Sequence, residues 1–120
     1  MAQFKFLLWL AHWYLTTQQF EFDWDFGNVA KNSVKHGILP EEVESVFRNK
    51  EATPVGIQIS PSTIEERFCL IGISDEAKII TVIFALRESK VRTISARPAS
   101  RKERRVFNAH SKTTKSLRKN

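Results

Sequence analysis

From Phe20 the chain alternates: Phe20, Phe22, Trp24 and Phe26 stand against Glu21, Asp23 and Asp25. Successive side chains of a strand point to opposite faces, so this period of two predicts a half-buried strand with its aromatics on one side. The period then lengthens. Residues 28–37 predict a short helix, with Asn28 as its N-cap and Gly37 able to take the left-handed conformation at its end. A second helix is predicted over 39–49: Pro40 suits the first helical position, Glu41 and Glu42 its first turn, and Leu39, Val43, Val46 and Phe47 form one apolar stripe.

Four strands are predicted next, at 55–60, 67–74, 79–86 and 91–97, with polar turns at 75–78 and 88–90. The run IITVIFAL (79–86) is apolar on both faces, which predicts a central strand. In the last strand Ile94 and Ala96 should face the core, and Thr93, Ser95 and Arg97 the other side, with Arg92 at the mouth. After Pro98, the stretch Ser100–Glu103 has the spacing of a capping box, and Val106 and Phe107 should dock the helix it opens. Strands in a run after helices in a run predict an α+β fold: an antiparallel meander sheet packed against two N-terminal helices, with a C-terminal helix.

Three segments follow from this pattern. Residues 20–110 form the domain, 111–120 a basic tail without apolar pattern and expected to be disordered, and 1–19 an N-terminal extension. The extension, MAQFKFLLWLAHWYL and the four residues after it, is too short in its apolar run to span a bilayer, which takes about 20 apolar residues. It also lacks a small-residue cleavage site, so neither a membrane anchor nor a signal peptide is expected, and little function of its own is assigned to it.

Composition changes the picture only through charge. The chain of 120 residues carries a formal net charge of +6. Residues 1–96 hold ten Lys and Arg against twelve Asp and Glu, a net of −2, whereas residues 97–120 hold nine against Glu103 alone, a net of +8. The basicity sits in the last fifth of the chain, which points to a polyanionic partner, nucleic acid or an acidic protein. Cys69 is the single cysteine and lies in an apolar run, which excludes an intramolecular disulfide and fits a reducing compartment.

Candidate chemistry concentrates on ISARPASRKERRVF (94–107), where a strand ending in Arg97 meets a helix carrying Arg101, Lys102, Arg104 and Arg105. Guanidinium groups beside the amides of a helix start make an anion site suited to phosphate. The ordinary imidazole exchanges its proton near neutrality, which makes His36 the candidate acid/base group, with Lys35 beside it. Arg67 opens an earlier strand; an antiparallel meander sets it nearer Arg87 and Arg92 than Arg97 unless the strands are staggered. No metal-ligand spacing, Gly-rich phosphate loop or nucleophile elbow occurs, so no metal and no cofactor are expected.

The ordered pieces FEFDWDFGNVAKNSVKHGI, EEVESVF, EERFCLIGIS and VRTISARPASRKERRVF resemble those of BrnT toxins, over about Phe20 to Phe107. The resemblance implies a RelE-like fold, a cytoplasmic bacterial setting and endonucleolytic RNA cleavage that inhibits translation. It further implies neutralisation by a BrnA-like ribbon-helix-helix antitoxin, with operator DNA reached only through that complex. The family's functional positions would fall on Lys35, His36, Arg67, Arg97, Arg101 and Arg104. Two departures stand out: Phe107 where the family usually has Tyr, and the extra residues 1–19. The residues alone leave a second reading open, a non-catalytic module that binds RNA or antitoxin as co-repressor of its own operon.

Overall fold

The computed structural model describes residues 2–24, 36–57 and 67–118. Its elements are helix α1 (Ala2–Thr16), helix α2 (Pro40–Asn49), strands β1 (Thr53–Ile57), β2 (Phe68–Ile73), β3 (Ile79–Arg87) and β4 (Lys90–Pro98), and helix α3 (Arg101–Arg118). The four strands pair antiparallel in the order β1-β2-β3-β4, the meander expected from the sequence. The β3–β4 turn is made by Glu88 and Ser89, both at positive φ, the backbone that matches strand twist in a two-residue hairpin. The predicted helix over 28–37 lies outside the described residues except for its last positions, as do Asp25 and Phe26 of the first predicted strand.

One face of the sheet carries the main core. Phe68, Leu70, Ile80, Val82, Phe84, Val91 and Ala96 pack there against Val43, Val46 and Phe47 of α2 and Leu10 and Tyr14 of α1. Phe47 is its hub: the rings of Phe20, Phe22, Tyr14, Trp13 and Phe84 meet it edge-on, with centroids 5.2–6.3 Å away, within the range where such pairs contribute beyond buried area. Gly72 lets α2 approach this closely, since a Cβ there would lie 2.6 Å from Val46 Cγ1. Leu39 is not part of the stripe. It stands at the N-cap ahead of Pro40, outside the helix proper, and is 47% exposed.

The alternating segment at 20–24 keeps its expected sides, with Phe20, Phe22 and Trp24 against the core and Glu21 exposed. It forms a single parallel bridge rather than a full strand: Val91 N donates to Glu21 O and Asp23 N to Val91 O.

Helix α1 is built into the domain, where the sequence reading gave it little role. Leu10 and Tyr14 are each 1% exposed. The Tyr14 hydroxyl donates to Val46 O (2.6 Å) and accepts from Ala52 N (3.1 Å), and burial pushes its pKa up to about 12. Lys50, at φ 58° past the end of α2, turns its ammonium onto Tyr14 O and Thr17 O and sits 4.2 Å from the Phe20 ring centroid. A cation on the last carbonyls of α1 complements the negative end of that helix.

The opposite face holds a smaller cluster of Ile71, Ala99 and Phe107, with Ile73 and Ile79 beside it. Here period two fails in β4. Ile83 pairs with Ser95 but Phe84 with Thr93, so Ile94 is an extra residue, a bulge. Downstream of it Arg97 and Ser95 face α3. Upstream, Thr93 shares the core face with Phe84 and is 1% exposed, while Ile94 is only half-buried. The expected polar row Thr93–Ser95–Arg97 is therefore broken. Val106 is 42% exposed, so Phe107 alone of that pair docks α3, and the backbone of α3 continues to Arg118, past the point where the sequence pattern ended it.

Removal of residues 1–19 strips Tyr14 from Val46 and Ala52 and uncovers the rings around Phe47. The expected outcome is a lower urea midpoint and new binding of a hydrophobic dye. An unchanged midpoint would show α1 to be dispensable to the fold.

Candidate nucleic-acid interface

The corner between β4 and α3 is organised around one carboxylate. Ser100 is the N-cap residue: Glu103 N donates to Ser100 Oγ (3.2 Å), and Ser100 N donates back to Glu103 Oε1 (2.8 Å), the capping box the spacing predicted. Glu103 also receives a two-pronged fork from Arg97, Nη1 to Oε1 at 2.7 Å and Nη2 to Oε2 at 2.9 Å. Thr81, the cross-strand partner of Arg97, donates its hydroxyl to Oε1 at 3.0 Å. The hydrogen bonds from Arg97, with those from Ser100 and Thr81, hold the Glu103 carboxyl down to about 2 against the opposing effect of burial, and the same bond raises Arg97.

This arrangement sorts the basic residues. Arg97 spends both terminal nitrogens on Glu103. Arg101, Lys102, Arg104 and Arg105 are exposed on the first turns of α3. Residues three and four apart share a helix face, so Arg101, Arg104 and Arg105 form one row. Glu103, Phe107 and His110 occupy the inward side.

His36 is half-buried and leads into Gly37, at φ 67°, and buried Ile38. Ile38 and Arg104 line a common cleft of about 310 Å³ with Lys78, Ile79, Pro98 and Ala99. Ile38, two residues after His36, is thereby the point at which this turn meets Arg104 of the basic helix. Lys35 lies outside the described residues.

Arg67 is not brought to this corner. It precedes Phe68, which pairs with Phe84, whereas Arg97 pairs with Thr81 and through it with Ile71. Four residues of β2 separate the two rows, about 13 Å along a strand. The strands are not staggered enough to close that gap. Arg67 Nε is buried without a hydrogen-bond partner among the described residues, and nearby Arg92 pairs with Asp23 at 3.4 Å.

Thr81 was missed by the sequence reading, although a hydroxyl inside IITVIFAL was the signal. Cys69 is half-buried on the same face, and burial pushes its thiol up to about 11, so it stays protonated at neutral pH. Among the described residues no group of three or more His, Cys, Asp or Glu is placed to hold a metal, and no helix is long and apolar enough to cross a membrane.

The depressed Glu103 pKa fixes a sign. Stability from this group is fully present above its unfolded value near 4.5 and is lost as pH falls towards about 2. Because its side chain is 22% exposed, we expect about 2 kcal/mol from this source. Urea midpoints between pH 6 and pH 2.5 check it: the wild-type loss should shrink in Glu103→Gln, which is less stable at neutral pH.

Comparison with known proteins agrees with this architecture. The family model described as the ribonuclease toxin BrnT of type II toxin–antitoxin systems matches residues 24–103, starting after α1. The crystal structure of the Brucella abortus ribonuclease toxin BrnT superposes with a TM-score of 0.51 at 27% identity, covering 69% of this chain and 100% of that one. No curated protein gives a match. With the family model spanning most of the chain and the sheet-and-helix architecture matching a solved member, the chain belongs to the BrnT family of type II toxin–antitoxin ribonuclease toxins.

Proposed function

We propose that this chain is an endoribonuclease that cuts RNA without a metal ion, gripping the scissile phosphate with the outward row of α3. One observation carries the reading. Among the described residues Glu103 pairs with Arg97, while Arg101, Lys102, Arg104 and Arg105 are exposed, and Arg104 shares a cleft with Ile38, two residues after His36.

In this reaction the ribose 2′-oxygen attacks the adjacent phosphorus as its proton passes to a base. The P–O5′ bond then breaks, leaving a 2′,3′-cyclic phosphate, and the departing 5′-oxygen takes up a proton. Arg101 and Arg104 stabilise the charge that builds on the phosphorane oxygens. His36 serves as acid/base group. Arg97 acts as a positioning residue, since its fork to Glu103 sets where α3 begins. Lys102, Arg105 and Lys35 extend the electrostatic grip on RNA. Arg67, some 13 Å along the sheet by strand rise, contacts flanking RNA rather than the same phosphate.

Family membership brings an antitoxin partner into the reading. A BrnA-like ribbon-helix-helix protein neutralises the toxin by covering the basic corner, and the pair together represses its own operon in the cytoplasm.

Purified protein incubated with mRNA in EDTA tests the activity. Arg101→Ala and Arg104→Ala should each lower the cleavage rate about 10–100-fold, the scale of a charge-assisted contact, with unchanged far-UV circular dichroism. Arg97→Ala should lower stability as well, because it strips Glu103 of its partner. RNA left intact by the wild-type chain would overturn catalysis. RNA bound but uncut, with an affinity that falls steeply with salt, would favour the binding-only module.

A further inference from the structure

The aliphatic part of the cleft shared by Ile38 and Arg104 has no role in the phosphate chemistry above, and its composition is selective. Its walls are aliphatic, from Ile38, Ile79, Pro98 and Ala99. Its volume of about 310 Å³ is at the lower end of small-ligand sites, which run from about 300 to 1,000 Å³. One heteroaromatic ring with its sugar fits; a longer stretch of RNA does not. The cleft is held by backbone bonds rather than by side chains alone: Ala99 N donates to Ile79 O (2.9 Å), and the turn below is closed by Ser74 N to Lys78 O (2.9 Å).

Two cations stand on the lining, and they differ. Lys78 is committed, with Nζ 2.9 Å from Glu42 Oε1 and 3.7 Å from Glu76 Oε2. Arg104 has no side-chain ion pair or hydrogen bond among the described residues, and it also belongs to the exposed row of α3. A planar guanidinium at the junction of an apolar slot and a phosphate grip is placed to meet a base edge or stack on its face.

We propose that this cleft is a base subsite, which takes the ring of the RNA nucleotide next to the phosphate held by α3, and that Arg104 makes it prefer keto bases. The inference rests on the ribonuclease reading above. Single-stranded RNA is read by splaying bases out of the stack into such slots. Guanine offers O6 and N7 as adjacent acceptors, and uracil its O4. Adenine and cytosine turn an amino group, a donor, towards the same edge. Among the described residues no acidic side chain lines the cleft to receive that amino group, whereas Arg104 supplies only donors. Guanine thereby takes two guanidinium donors and uracil one, whereas adenine offers N7 beside an unmatched amino group and cytosine the amino group alone.

The full chain titrated with GMP, UMP, AMP and CMP tests this by calorimetry, with cleavage positions mapped in parallel on one defined RNA. GMP should bind about fivefold or more tightly than AMP and CMP, the low end of what one bidentate pair discriminates, and UMP should also bind more tightly than CMP. Cuts should fall beside G and U. Arg104→Lys keeps the charge, so the salt dependence of RNA binding should persist while base discrimination collapses. Ala77→Trp, at an exposed turn position on the cleft lining, should weaken all four nucleotides together.

Equal affinities for the four nucleotides, with RNA still cut, would overturn the base subsite and leave the ribonuclease reading standing. Discriminating nucleotide binding by a chain that cuts no RNA would support the subsite and overturn that reading. Protection of the cleft by antitoxin, with no nucleotide bound at all, would assign it to the protein partner and overturn the proposal.

Discussion

The Glu103 carboxylate is the joint on which the working end of this molecule depends. It collects donors from three places at once: Arg97 at the end of β4, Thr81 in the middle of β3, and the Ser100 amide at the start of α3. An isolated exposed ion pair contributes about 0–1 kcal/mol. A carboxylate with four hydrogen bonds from three separate elements, two of them one guanidinium fork, is a different object, because a single geometry must satisfy them together. The fork therefore fixes where the helix leaves the sheet. That in turn decides which side of α3 turns inward with Phe107 and which carries Arg101, Arg104 and Arg105 outward.

The same joint changes how the charge of the chain is read. By composition, Arg97 belongs with the other cations of the last fifth. By geometry it is the cation of the corner that is matched among the described residues, and the exposed charge begins with Arg101, the first residue of the helix. The larger core on the other face supplies rigidity. Phe47, ringed by aromatics from α1, the 20–24 segment and β3, locks α2 onto the sheet, and Tyr14 with Lys50 locks α1 onto α2. Helix α1 precedes the family match, yet it places Leu10 and Tyr14 fully in the core. Its outer side leaves Leu8, Trp9 and Leu15 exposed.

Much of this was legible in residue order. The last three strands, the Pro40 helix start and the capping box each rest on local rules that the tertiary structure does not override, whereas β1 starts at Thr53, two residues before the expected 55–60, of which 58–60 lie outside the described residues. What could not be read was non-local. The bulge at Ile94 inserts one residue with no Gly or other local sign, and it moves Thr93 from the solvent-facing row into the core. Glu103 was legible as a cap but not as a partner for Arg97, because the fork needs β4 and α3 to meet at a definite angle. Val106 and Leu39 look apolar enough to dock, and only the phase of each helix shows that they do not. Arg67 is the opposite case: strand pairing alone set it towards the Arg92 end of the sheet, and the register agrees.

The cleft follows from the same logic of what is left over. A side chain whose donors are all satisfied within the protein has little to offer a ligand, since binding must first break bonds already made. Arg97 and Lys78 are both spent in this sense, on Glu103 and Glu42. Arg104 is not, among the described residues, and it is the residue that the exposed basic row of α3 and the aliphatic slot have in common. Grip on the backbone and discrimination among bases would then converge on one guanidinium. A substitution that retains its charge but not its planar fork separates the two functions where an alanine would merge them.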